Sequence, residues 1–164
     1  MPEKETKRRA LADKRAGKSP STQAGEYVRE EIHHVREGKH GARSTKQAIA
    51  IGLAKARRDG VALPASKTAS KSTRRKAASD NAAGRKPKRS TSRTRSRATH
   101  HALEKEGTAA GSHTALSRHA RSAAKKRTAK DRSAAAKKAA RTKGPAERSA
   151  AAKKAARTRA KHGR

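Results

Sequence analysis

Large aliphatic and aromatic side chains are nearly missing from this chain, and a core is ordinarily built from them. Of its 164 residues only eleven are Leu, Ile, Val or Phe, and none is Phe. That share is about 7%, against the ~20% below which a highly charged chain is expected to stay unfolded. Trp is absent and Tyr27 is the single tyrosine, so the 30% hydrophobic fraction is carried mostly by Ala, 37 residues. Fixing a residue's backbone costs about 1–2 kcal/mol, and so few apolar groups cannot offset that cost over the whole length. The expectation is a mostly disordered chain with a small all-α N-terminal module, a helical hairpin, and Ala/Lys-rich, partly helical C-terminal segments.

The aliphatics and the charge run in opposite directions. Seven of the eleven (Leu11, Val28, Ile32, Val35, Ile49, Ile51 and Leu53) lie before residue 60. The net charge is +33, with 46 Lys and Arg against 13 Asp and Glu. Residues 1–60 hold +7 of it and residues 61–164 hold +26. Three regions follow: a small helical module over 1–60, a disordered basic Ser/Thr-rich linker over 61–111, and an Ala/Lys/Arg-rich repeat tail with transient helices over 112–164.

Within the first region, Lys4 to Ala16 is helix-compatible around one large apolar residue, Leu11. Ser19-Pro20 places a capping residue before a proline at the first helical position. Val28, Ile32 and Val35 recur at i, i+4, i+7, the stripe of an amphipathic helix, and Gly38 ends it. Ser44 with Gln47 forms a capping box and opens a helix over Thr45 to Arg58, with Ile49, Leu53 and Ala56 on one face. Gly60 stops it. An antiparallel pairing symmetric about the loop brings Glu26 near Lys55, with Gly25 and Gly52 allowing close approach. Tyr27 is expected to pack within this hairpin.

Beyond Gly60, Lys67 to Arg97 shows no apolar period and reads as disordered. The tail contains RSAAAKKAART twice, at 132–142 and 148–158, each copy following an acid, Asp131 and Glu147. A shortened form, RSAAKKRT, occupies 121–128. Gly144-Pro145 interrupts any continuous helix.

A chain this basic seeks polyanions. The repeats offer cations spaced by small residues that let a backbone approach phosphates closely. The nucleic-acid-binding residues are therefore Arg121, Lys125, Lys126 and Arg127, then Arg132, Lys137, Lys138 and Arg141, then Arg148, Lys153, Lys154 and Arg157. Arg85, Lys86, Lys88 and Arg89 join them in a degenerate AT-hook, GRKPKR, whose bland reading is a basic linker. Phosphate contacts position and do not specify, so binding without sequence preference is expected. If the hairpin is a helix-turn-helix, Arg43, Lys46 and Gln47 are its base-reading candidates, although its loop is longer than that motif's usual turn. Aromatic platforms for single strands are lacking, which favours duplex DNA and leaves structured RNA open.

Other chemistries are poorly served. The absence of Cys excludes disulfides and thiolate metal sites. His33 and His34, His40, His100 and His101, His113 and His119 invite a metal reading. Adjacent histidines on a helix diverge by about 100°, however, and no carboxylate is placed by spacing to complete a set. No metal, no cofactor and no enzymatic activity are expected. The charged N-terminus lacks the apolar stretch of a secretory signal, and no run approaches the ~20 residues of a membrane span. A cytoplasmic, nucleoid location follows.

Two resemblances bear on this. The string KSPSTQAGEYVREEIHHVREGKHGARSTKQAIAIGLAKARR, residues 18–58, resembles a family of small, basic, uncharacterised bacterial proteins. That implies a bacterial source and assigns no catalytic residue. The tail is similar in composition to linker-histone tails and to the Lys/Ala-rich extensions of bacterial histone-like proteins, which implies nucleoid or chromatin binding. The functional expectation is a histone-like, nucleoid-associated protein that neutralises phosphates. The alternatives are an RNA- or ribosome-associated protein, or an adaptor whose residues 20–58 bind a protein partner or self-associate while the tail holds DNA.

Overall fold

The computed structural model describes residues 2–66, 68–87, 90 and 92–161. Seven α-helices lie among them: α1 (Lys4–Arg15), α2 (Pro20–Arg36), α3 (Thr45–Arg58), α4 (Lys71–Gly84), α5 (Arg93–Glu104), α6 (His113–Lys125) and α7 (Ala129–Lys161). A single 3₁₀ turn, Ala109–Gly111, precedes α6. The chain is all-α and divides into two compact units, residues 1–120 and residues 121–164. No helix among the described residues is long and apolar enough to cross a membrane.

The expectation of a mostly disordered chain is overturned. Residues 71–84 and 93–104, expected to lie in an unstructured linker, are helical, and the tail is helical rather than transiently so. A rule that counts large aliphatics overlooks a core made of small ones. One cluster joins Ala10, Ala24, Tyr27, Ala56 and Val61; the other joins Ile32, Val35, Ala42, Ala48 and Ala110. Ala loses no side-chain entropy on burial and has the highest helix propensity, so it serves as both helix former and filler.

The helix boundaries of the first sixty residues follow their sequence signals. Pro20 opens α2, Gly38 turns the chain after it with φ 71°, and Ser44 Oγ accepts from Gln47 N–H at the start of α3. Helices α2 and α3 pack antiparallel. Gly52 sits against Val28, where an added Cβ would lie 2.7 Å from Val28 Cα. Gly25, by contrast, faces open space.

Three details of the expected packing are corrected. The buried face of α3 is Thr45, Ala48, Gly52 and Ala56, while Ile49, Ile51 and Leu53 are only half-buried. Small residues line the contact because the helices approach closely at Gly52. Helix α1 docks through Thr6 and Ala10 and leaves Leu11 exposed at 47%. Lys55 pairs with Glu31 rather than Glu26, which Arg9 of α1 holds at 2.6 Å.

Polar groups fix the remaining elements. Tyr27 is buried and its Oη–H donates to Asp59 Oδ2 at 2.6 Å. Burial, and then this acidic neighbour, push the phenol well above its ordinary value. Helix α4 packs on α3 through Ala77 and the buried Asp80, which accepts from Arg58 Nε at 2.8 Å and from Lys76 Nζ at 2.5 Å. The 3₁₀ turn lies against α2 and α3, its Ala110 and Gly111 carbonyls accepting from Thr45 Oγ1 at 2.8 Å and Arg36 Nε at 2.7 Å.

Candidate nucleic-acid interface

Residues 121–164 carry seventeen Lys and Arg against Asp131 and Glu147, a net of +15. Helix α7 supplies most of them. Thirteen of its 33 residues are Ala, which favours helix without burial. Thr128 and Asp131 cap it reciprocally: Thr128 Oγ1 accepts from Asp131 N–H at 3.1 Å, and Asp131 Oδ2 accepts from Thr128 N–H at 3.3 Å. The acid before the first repeat is thus a helix-start device. Glu147 plays a related part in the second copy, two residues after Pro145, where a negative charge suits a helix N-terminus.

Between the copies Gly144 leaves helical geometry altogether, with φ 63° and ψ 171°. The expected interruption at Gly144-Pro145 is present, and each copy forms its own helical segment. The copies also match in detail: Thr142 Oγ1–H donates to Lys138 O and Thr158 Oγ1–H to Lys154 O, both at 3.0 Å.

Helical spacing sorts the repeat cations. At about 100° per residue, Lys137, Lys138 and Arg141 share roughly one 100° arc, as do Lys153, Lys154 and Arg157. The Ala pairs 135–136 and 139–140 fall on the other side with Arg132, and Arg148 has the equivalent place in the second copy. Lys130 and Lys161, which the repeat pattern does not mark, extend the two cationic arcs by the same spacing. Arg121, Lys125, Lys126 and Arg127 lie exposed in the last turn of α6 and the turn after it.

Within residues 1–120 some of the cations are ion-paired. There, Lys7 pairs with Asp59 at 3.2 Å, Arg9 with Glu26 at 2.6 Å, Lys18 with Asp13 at 2.7 Å and Arg58 with Asp80 at 2.8 Å. Among the described residues no ion pair reaches α7. The acids of residues 1–120 pair with bases of the same unit, which nonetheless keeps a net +18, from 29 Lys and Arg against 11 Asp and Glu.

The other candidates are dispersed. Arg43 and Lys46 are exposed at the start of α3, whereas Gln47 Oε1 accepts from Arg43 N–H at 3.0 Å and so serves the helix cap. In the GRKPKR element, Gly84 ends α4 against Arg57, and Arg85 and Lys86 follow exposed at its C-terminal end; Lys88 and Arg89 lie outside the described residues. A grouping missed from the sequence is Glu31, His34 and His40, whose ligand atoms lie within 4.8 Å of one another. The Glu-x-x-His spacing on α2 is its sequence trace; the arrival of His40 depends on the turn at Gly38.

These features define an all-α protein with a repeat-bearing, cationic helical extension. Residues 12–67 match a family model described as "Family of unknown function (DUF6496)". No curated protein and no solved structure matches the chain.

Proposed function

We propose that this protein binds nucleic acid, duplex DNA foremost, without sequence preference, by laying the cationic arcs of α7 along phosphate backbones. The observation that carries this reading is the net +10 of α7, twelve Lys and Arg against Asp131 and Glu147, set on exposed helix with no described ion pair to neutralise it. Lys137 and Arg141, like Lys153 and Arg157, are like charges at i, i+4, which costs an isolated helix a few tenths of a kcal/mol per pair. A polyanion relieves that repulsion and takes up the entropy of released counterions. Small residues between the cations let the helix lie close, and nothing on it is shaped to read a base edge. The activity is binding rather than turnover, and its place is the nucleoid.

The test is a salt-resolved competition of the full chain between A·T-rich duplex, G·C-rich duplex and ribosomal RNA. Equal, steeply salt-dependent affinity for the two duplexes, exceeding that for ribosomal RNA, supports the reading. A marked preference for ribosomal RNA overturns the DNA assignment, and salt-insensitive binding overturns the electrostatic one.

A further inference from the structure

We propose that Glu31, His34 and His40 form a binding site for a divalent transition-metal ion of the zinc class. Glu31 and His34 stand at i and i+3 on α2 and therefore share a face. His40 returns to that face after the left-handed turn at Gly38. Its loop is anchored, since Gly41 N–H donates to Leu103 O at 2.9 Å and Ala42 N–H to Gly107 O at 3.1 Å.

The hydrogen bonds around the three side chains fix which atoms face inward. His40 Nδ1–H donates to Gly41 O at 3.1 Å, so in the neutral ring Nε2 bears the lone pair. That nitrogen lies 3.4 Å from Glu31 Oε1. Glu31 is wholly buried, and among the described residues Oε1 has no hydrogen-bond donor. With the ring neutral, two acceptors face each other across 3.4 Å, an arrangement that calls for a shared electrophile. Bonds of about 2.0–2.2 Å put the ligand atoms of a tetrahedral zinc about 3.3–3.6 Å apart, so the pair already has that spacing.

A third ligand converges on the same point. A ring nitrogen of His34 lies within 4.8 Å of the other two atoms, and the His34 and His40 rings stand edge to face at 5.9 Å. Since its Nε2 is hydrogen-bonded to Glu3, His34 would offer Nδ1, and closing the triangle requires that ring to move toward the Glu31–His40 pair. An outer layer is present too, as metal ligands require. Lys55 holds the other Glu31 oxygen, and His34 Nε2–H donates to Glu3 Oε1 at 2.9 Å. Lys39 pairs with Glu3 and Glu37, and Lys55 with Glu31, so these two neighbouring cations are engaged by carboxylates. The group opens on a cleft of about 820 Å³ whose other charged lining is Lys39, Lys55, Arg58 and Arg95, so an ion that enters must be held by its ligands against these cations. Imidazole with one carboxylate suits zinc and its neighbours rather than calcium or magnesium. The competing arrangement is a proton in place of the metal, an imidazolium at His40 paired with Glu31.

The test is zinc titration of the full chain, stripped of nucleic acid, against a chromogenic indicator, with cobalt as a spectroscopic substitute. A single saturable equivalent with the visible bands of tetrahedral cobalt is expected. It should be lost in His40→Ala and in His34→Gln but kept in His100→Ala. In case a variant fails to fold, ¹⁵N spectra of the unaltered protein give an independent reading. The ring nitrogens of His34 and His40 should shift on zinc addition ahead of those of His33, His101, His113 and His119. No saturable equivalent, shifts spread evenly over the histidines, or a His40 ring protonated on both nitrogens and indifferent to zinc would overturn the proposal.

Discussion

Tyr27 and Asp59 join the middle of α2 to the end of α3 through one hydrogen bond of 2.6 Å, with the tyrosine only 2% exposed. Tyr27→Phe keeps the ring and removes the donor. A bond to a charged acceptor is worth about 1.5–3 kcal/mol, and urea unfolding should show a loss of that size. The pH dependence has a defined sign. The folded phenol is pushed above its ordinary value, so the folded state keeps a proton that the unfolded state releases above about pH 10. Stability from this group is full below that pH and falls as pH rises. The gap between the parent and Tyr27→Phe should therefore narrow above pH ~10.

Gly25 and Gly52 make opposite predictions. At Gly52 an added Cβ would meet Val28 Cα at 2.7 Å and Tyr27 O at 3.0 Å, all backbone, so α2 and α3 would have to separate. Gly52→Ala should cost about 1–3 kcal/mol. Gly25 has nothing within 4 Å, and Gly25→Ala should stabilise by about 0.5–1 kcal/mol through helix propensity alone. Thermal melts of the two variants on either side of the parent check both.

Asp80 tests whether the segment after residue 60 is held by packing. It is 3% exposed and accepts from Arg58 and Lys76, whose side chains reach solvent. Asp80→Ala removes the buried charge and lets both cations rehydrate, so the cost should stay near 1.5–3 kcal/mol. Hydrogen exchange should show protection lost in residues 71–84 and retained in α2 and α3. Uniformly fast exchange of residues 71–84 in the parent chain would instead restore the disordered linker.

The proposed interface has a quantitative signature. Replacing Lys137, Lys138 and Arg141 by Gln removes one cationic arc and leaves the alanines that favour helix. With a slope of about −0.9 in log K against log salt per phosphate neutralised, the slope should become shallower by about 2–3. Affinity for A·T-rich and G·C-rich duplexes should fall alike. An unchanged slope would move the contact away from α7.

The fold was legible where its signals are local. Pro20, Gly38, the Ser44–Gln47 cap and Gly60 each mark a boundary that a short window reveals. Packing was legible only in part. Of the stripe Val28, Ile32 and Val35 the last two are buried and Val28 is half-buried. On α3 Ala56 is buried as expected, but Ala48 turns inward while Ile49 and Leu53 are only half-buried. Ala is common on every face of α3, so nothing in its spacing separates Ala48, which is buried, from Ala50, which is exposed. Residues 71–84 were missed because their hold on α3 is an ion pair, Asp80 with Arg58, twenty-two positions apart. The repeat cations were readable from order alone, while the meeting of Glu31 with His40 depends on a turn and a distant carbonyl at Leu103.

The composition of the core governs how this protein responds to temperature. Its buried set mixes alanines with Thr6, Gln23, Glu30, Glu31, Thr45 and Asp80. Exposing apolar surface raises the heat capacity of unfolding and exposing polar surface lowers it. The heat capacity change should therefore fall below the ~12–15 cal/mol/K per residue of ordinary domains. Its stability curve is then broad and shallow, so cooling weakens the fold less than it weakens a protein built around leucine and phenylalanine.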